Sequence, residues 1–314
     1  MKDHDDLSWY ARKADASRGA AVPPAVEDPA SRERIERLLT ELAGQGILGS
    51  LEDRTLYTRR LPPGCRGCLL GRGTNLFVTG LCTRECFFCF NAKPRTDELV
   101  VHGIPVKTPE EAAAVVERYR LRSVGLSGGE PLLKPERVLA VLAALRRLPE
   151  RVRIDLYTNG DPLDEALAER LRAAGLDSLR FNLVANGFDL RPVRVALARF
   201  PETTVEVPVV PGKMADLRRM VLELDALGVP YLNIHELFAC GENAEGVRGE
   251  GHAAAGERSP HLLWRPVAGG EEAALELLLF ALTHARRLSA YYCSCRTQEL
   301  ISARGLARRR RLSL

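Results

Sequence analysis

Three cysteines stand within eight residues at Cys82-Thr-Arg-Glu-Cys86-Phe-Phe-Cys89. Thiolates are soft ligands, and three on one short loop wrap a compact inorganic group from one side. A structural zinc takes four protein ligands, and this loop supplies three. A 4Fe–4S cluster held by three cysteines leaves one iron open, which makes it a ligand site rather than an electron wire. A second motif follows at Ser127-Gly128-Gly129-Glu130-Pro131. Its glycines permit close backbone approach, and its carbonyls and the Glu130 carboxylate are acceptors for a cationic ligand. Four further cysteines form two pairs, Cys65-Arg-Gly-Cys68 and Cys293-Ser-Cys295. Together they offer enough thiolate for an auxiliary 4Fe–4S cluster or a tetrahedral zinc. A CxC pair is tight for one metal, so one of Cys293 and Cys295 suffices, with Cys240 as a substitute ligand. Buried or incidental thiols are the other reading of these five.

These residues need elements to position them. From residue 74 short strands at 75–79, 123–127, 153–158, 178–183, 203–209 and 231–237 alternate with helical stretches near 109–119, 134–147, 163–174, 190–199 and 214–227. Six βα repeats imply a parallel sheet with right-handed crossovers. Alternate strand positions are polar: Arg153, Asp155 and Tyr157; Arg180 and Asn182; Thr204 and Glu206; Tyr231, Asn233 and His235. An ordinary eight-stranded barrel fills its interior with Val, Ile and Leu. A polar lumen suggests a ligand there, and a sheet with one solvated face is the alternative.

The chain has 314 residues, 46% hydrophobic and 27% charged, which suits a packed fold and excludes wholesale disorder. A formal charge of +4 neither demands nucleic acid nor forbids an anionic substrate. No uncharged apolar run is long enough to span a membrane, and the N-terminus has no apolar h-region. A cytoplasmic chain with reduced cysteines is therefore expected. Residues 1–27 read as a flexible segment. Residues 28–73 form an N-terminal extension: a helix capped by Asp28, with Ile35, Leu38, Leu39 and Leu42 on one face, ends at Gly44, and a loop carries the CxxC pair. The strand-bearing unit covers 74–237. Residues 238–270 read as a Gly-rich loop, gating or disordered, with His252, His261, Trp264 and Arg265. Residues 271–314 hold a C-terminal helix and a CxC-containing tail with Arg304 and Arg308–Arg311.

The cysteine spacing, with Phe88 before the last cysteine and a Gly-Gly-Glu motif ending the second strand, resembles the radical S-adenosylmethionine (radical SAM) superfamily. The likeness covers roughly residues 74–237 by motif order and strand count. It is nearest to glycyl-radical-activating enzymes and molybdopterin-precursor cyclases, although the cysteine-rich insertion of many activases is missing. The resemblance implies an α/β fold, a partial (β/α)6 TIM-like barrel, with a 4Fe–4S cluster on Cys82, Cys86 and Cys89. S-adenosylmethionine (SAM) would lie at the C-terminal strand ends. Ser127, Gly128, Gly129 and Glu130 would meet its ammonium and Phe88 its adenine. Thr158, Asn159, Asn182, Glu206 and His235 would make the remaining contacts. Reductive cleavage would yield a 5′-deoxyadenosyl radical that abstracts hydrogen from a peptide, protein or small molecule, fed by an electron donor of flavodoxin or ferredoxin type. No catalytic acid or base is assigned; Tyr157 and Cys240 have the chemistry to donate hydrogen. Two other classes stay open: an iron–sulfur electron carrier or redox sensor, and a zinc-stabilised RNA-binding module. The Arg-rich tail suits RNA phosphates or, more simply, a solvated helix end.

Overall fold

The structure, a computed structural model, describes residues 29–256 and 259–313; the flexible segment 1–27 and the Asp28 cap lie outside them. Helix α1 (Pro29–Gly44) opens on a proline, which suits a first helical turn. It buries Leu42 fully and packs Ile35, Leu38 and Leu39 against the core. Strands β1 (Leu48–Ser50) and β2 (Thr55–Tyr57) pair as a hairpin. The expected CxxC loop is instead helix α2 (Pro63–Leu69), started by a proline, whose one full turn sets Cys65 and Cys68 three residues apart on neighbouring positions of one face.

Strand β3 (Gly73–Thr79) begins the parallel unit, and a hairpin of β4 (Leu99–Val101) and β5 (Ile104–Val106) pairs back on it. There follow α3 (Pro109–Arg118), β6 (Ser123–Gly128), α4 (Pro135–Arg146), β7 (Arg153–Thr158), α5 (Glu165–Ala173) and β8 (Ser178–Phe181). Then come α6 (Arg191–Leu197), β9 (Thr204–Val209), α7 (Met214–Leu227) and β10 (Tyr231–Glu236). The chain continues through β11 (Phe238–Ala239), α8 (Ala244–Gly249), β12 (Arg265–Pro266), α9 (Gly270–His284), β13 (Ser289–Cys293) and α10 (Cys295–Ser313).

The sheet runs β1-β2-β13-β10-β9-β8-β7-β6-β3-β4-β5 and is not closed. Its fold is a partial TIM-like barrel, with one parallel strand more than the six expected. The seventh is β13, which lies parallel to β10 with His235 opposite Cys293. The expected tail thus divides: Cys293 ends a central strand and Cys295 starts a helix. Five apolar or small residues in a row, buried on both faces, carry no alternation that marks β13 in sequence.

Strand alternation separates two interiors. Leu76, Val124, Leu126, Ile154, Leu156, Leu179, Val205, Val207, Leu232 and Ile234 face the helices and form the apolar core. The opposite positions hold Asp155, Arg180, Glu206 and Asn233, all buried rather than solvated. What buries them is α2: a Cβ on Gly64 would lie 1.9 Å from Asp155 Oδ2, and one on Gly67 would lie 2.6 Å from Ser123 Cβ. The two glycines let a short helix seat itself across the N-terminal ends of β6–β8.

The Gly-rich stretch after β10 is also built. The pairing of β11 with β12, the α8 turn and an Ala254–Val267 bridge enclose a small second core of Val210, Leu237, Ala239, Ala244, Val247, Ala254 and Val267. Trp264 stacks on Phe238 with centroids 3.9 Å apart. His261 and Ser259 both contact Glu299 of α10, and Arg265 donates to the Gly256 carbonyl at 2.8 Å. The tail is helical from Cys295 to Ser313 and packs on α2, where Arg304 donates to the Leu69 carbonyl at 2.6 Å. Arg308 is held below its ordinary pKa by burial and by Arg72, Arg120, Arg311 and Arg122 nearby. No helix among the described residues is long and apolar enough to cross a membrane.

Candidate functional site

The three-cysteine loop leaves the C-terminal end of β3. Thr79 Oγ1 donates to Asp97 Oδ1 at 2.7 Å and accepts from Leu81 N at 3.2 Å. Asp97 is gripped in turn by Arg137 and Lys134, which hold its carboxyl far below the ordinary range. Above this anchor Cys82, Cys86 and Cys89 are all partly exposed. Burial and the neighbouring Cys89 and Cys82 push the Cys86 thiol up to about 11. Three sulfurs repelling one another in the thiolate form are a donor set that bound cations would relieve.

The Gly-Gly-Glu segment is hydrogen-bonded onto the root of that loop. Gly129 N donates to the Thr79 carbonyl and Glu130 N to the Leu81 carbonyl, both at 2.7 Å. Gly128 has φ near +120°, and a Cβ on Gly129 would lie 2.0 Å from Leu81 O. Both glycines are therefore required by backbone meeting backbone. Asn91 donates to the Gly128 carbonyl from the far end of the loop. Beneath it the Ser127 hydroxyl oxygen is buried without a hydrogen-bond partner. Such an orphan at the end of β6 is what a missing polar ligand leaves behind.

Glu130 is fully buried. Its carboxylate accepts from Leu132 N at 3.0 Å, Thr158 Oγ1 at 2.8 Å and Asn159 N at 2.8 Å. The carboxylate therefore ties the tip of β6 to the tip of β7. Burial, outweighing these three donors, raises its pKa to about 7. Asn159 then reaches the cysteine loop, donating to Thr83 Oγ1 at 2.8 Å and lying 3.9 Å from Cys82 Sγ. Thr83 and Arg84 both bind Asp161, the latter through two contacts of 2.7 Å. Asn182 is turned to its own loop, its Oδ1 accepting from Ala185 N at 3.1 Å, while its N–H donates to the Thr158 carbonyl.

Phe88 faces the second core rather than standing free. Asn243 Nδ2 donates to the Phe88 carbonyl at 3.1 Å, and a Cβ on Gly246 would strike Phe87 O at 2.4 Å. His252 stacks on Phe87 at 6.2 Å. The segment after β10 is therefore clamped on the cysteine loop. Asn243 and Gly246 carry no motif, and only their place in a Gly-rich stretch signals them.

Glu206 and His235 lie elsewhere, within the polar lumen. Arg180 bridges Asp155, at 3.0 Å, and Glu206, and its guanidinium stands 5.5 Å over the Tyr157 ring. Asn233 Nδ2 donates to Glu206 Oε1 at 2.7 Å, and His235 Nε2 stands 3.3 Å from Glu206 Oε2 without hydrogen-bond alignment. Burial alone would raise Glu206; Arg180 and His235 overcome it and set the pKa at about 2. Of the two cysteine pairs, Cys65, Cys68 and Cys293 come together in this lumen, with Cys65 and Cys293 packed on Tyr291. Cys295 does not join them: its thiol bonds to Glu236, as does its N–H to Oε2 at 2.8 Å, and that carboxylate also receives Tyr292 OH at 3.0 Å. Cys240 is buried beside β11, its N–H bound to Asn243 Oδ1 at 2.7 Å. Among the described residues no three His, Cys, Asp or Glu side chains stand together as a site for a single metal ion.

Residues 76–195 match the model of the Radical SAM superfamily. The chain is 26% identical over 231 residues to a candidate glycyl-radical enzyme activating enzyme of Methanocaldococcus jannaschii, an alignment covering 70% of this chain and 60% of that protein. It is 35% identical over 116 residues to a probable GTP 3′,8-cyclase of Pyrococcus horikoshii, covering 35% of this chain and 34% of that one. The chain thus spans less than two thirds of the length of these relatives. Among solved structures, the FeFe-hydrogenase maturase HydG of Carboxydothermus hydrogenoformans superposes with a TM-score of 0.46 at 11% identity, covering 91% of this chain and 74% of that one. SuiB of Streptococcus suis, bound to the precursor peptide SuiA, gives 0.41 at 12% identity, covering 73% and 52%.

Proposed function

On the match of residues 76–195 to the Radical SAM superfamily, we propose a radical SAM enzyme that holds a 4Fe–4S cluster on Cys82, Cys86 and Cys89 with SAM beside it. One observation carries the reading: the Gly-Gly-Glu backbone is bonded to the root of the three-cysteine loop, above the buried, unpartnered Ser127 hydroxyl. When bound, cluster and SAM supply a 5′-deoxyadenosyl radical that abstracts hydrogen from the substrate. The protein's own residues do the positioning. Gly128 and Gly129 bring backbone carbonyls to the ligand, Ser127 offers its hydroxyl, and Glu130 fixes Thr158 and Asn159 at the opposite rim. The segment held by Asn243 and Gly246 braces the loop at the Phe87 and Phe88 carbonyls.

Because α2 fills the lumen at the N-terminal strand ends, the substrate, a peptide, protein or small molecule, approaches from the cysteine-loop end. Electrons come from an external donor of flavodoxin or ferredoxin type, in the cytoplasm. Anaerobic incubation of reconstituted protein with SAM and dithionite tests the reading. Methionine and 5′-deoxyadenosine form if it is right, and their formation stops in the Cys86→Ala variant. A reconstituted iron–sulfur protein that yields neither product is an electron carrier, and the proposal falls. Zinc without iron would instead favour the RNA-binding module.

A further inference from the structure

We propose that Cys65, Cys68 and Cys293 hold a second iron–sulfur cluster inside the lumen, separate from the loop at its rim. The CxxC turn of α2 is driven into the lumen by glycines that admit no side chain: Gly64 against Asp155 and Arg180, Gly67 against Ser123. Gly73 is equally confined, since a Cβ there would lie 2.7 Å from Cys68 Sγ. That seating brings two thiols of α2 to the end of β13, where Cys65 packs with Cys293 and Tyr291.

The surroundings are those of a liganded sulfur rather than an idle thiol. Asn233 Nδ2 donates to Cys65 Sγ at 3.3 Å and Arg180 Nη1 at 3.7 Å. Both donors also bind Glu206, so the Cys65 sulfur shares the charged network of the lumen instead of lying in an apolar pocket, and hydrogen bonds to sulfur stabilise and tune a cluster. His235, opposite Cys293 in the β10–β13 register, has its buried Nε2 3.3 Å from Glu206 Oε2 and its ring beside the Cys293 thiol, and it is the candidate fourth ligand. Cys295, whose thiol is turned to Glu236, is excluded.

Iron–sulfur chemistry is favoured over a single zinc by the donors beside the sulfur, since hydrogen bonds to sulfur stabilise a cluster and set its potential.

The proposal does not depend on SAM cleavage. The variant C82A/C86A/C89A, altered only on the partly exposed loop, is reconstituted anaerobically with iron and sulfide and assayed for iron, sulfide and zinc, with Mössbauer spectra. Iron with matching sulfide should remain in that variant. It should disappear on adding Cys293→Ser and survive adding Cys295→Ala, with circular dichroism confirming that each variant folds. The wild-type protein gives a reading without any variant: more than about four irons per chain is expected, since one cluster of this type holds four. Loss of all iron in the triple variant, zinc without sulfide, or equal losses from Cys293→Ser and Cys295→Ala would overturn the proposal. Retained iron in a wild type that cleaves no SAM would leave this cluster standing and remove the proposed function.

Discussion

Glu130→Gln separates a structural carboxylate from one that faces a ligand. Glu130 is wholly buried, and its pKa is raised from 4.5 to about 7, chiefly by burial. A carboxyl whose folded pKa lies above its unfolded value binds its proton more tightly in the folded state. Its contribution therefore favours folding at low pH and is lost as pH rises from 4.5 through 7. At about 1.4 kcal/mol per pH unit, wild-type stability falls by roughly 2–3 kcal/mol between pH 5 and pH 8 from this group alone. Glutamine does not ionise and lacks that slope. It also turns an amide N–H₂ toward a donor, Asn159 N or Leu132 N, at a cost of about 1–3 kcal/mol at every pH. The variant should therefore be less stable than wild type at pH 5 and gain roughly 2–3 kcal/mol relative to it by pH 8. Urea unfolding of anaerobically reconstituted protein at both pH values measures this. Parallel pH profiles for the two proteins would refute the buried tie between β6 and β7. A loss of SAM affinity without any change of slope would mean that the carboxylate faces the ligand instead.

Gly129→Ala should cost about 1–3 kcal/mol, because its Cβ meets the Leu81 and Gly80 carbonyls rather than a flexible side chain; iron retained by the cysteine loop after gel filtration should fall with it. Asn243→Ala removes the donor to the Phe88 and Phe238 carbonyls, and limited proteolysis between residues 244 and 264 should accelerate several-fold with little change in global stability. Arg84→Ala should leave stability almost unchanged, since its pair with Asp161 is solvent-exposed; denaturation at low and high salt checks this.

The apolar and polar faces of the strands were legible because side chains alternate along a strand. Ile154, Leu156, Val205 and Ile234 belong to the helix-side core, as that alternation requires. What alternation leaves undecided is whether the polar face is solvated. Burial of Asp155 and Arg180 depends on α2, a seven-residue helix more than 80 residues away in the chain, which fits only through Gly64 and Gly67. The helix itself was hidden because seven residues with two glycines and two cysteines have almost no periodicity. The segment after β10 escaped for a similar reason: its order comes from one asparagine and a glycine contact on the cysteine loop, not from any repeating pattern.

The cysteine spacing and the Gly-Gly-Glu motif are local, so their chemistry could be read without coordinates: ligand type and backbone freedom are properties of the residues themselves. Division of the other cysteines could not be read that way. Cys293 and Cys295 are two residues apart and chemically identical. They part because β13 is a central strand that ends at one of them, and the turn into α10 carries the other to Glu236. Cys65 and Cys68 meet Cys293 across more than 220 residues of sequence, through strand order and a glycine-lined approach. Such partners are set by packing, and packing belongs to the folded chain as a whole.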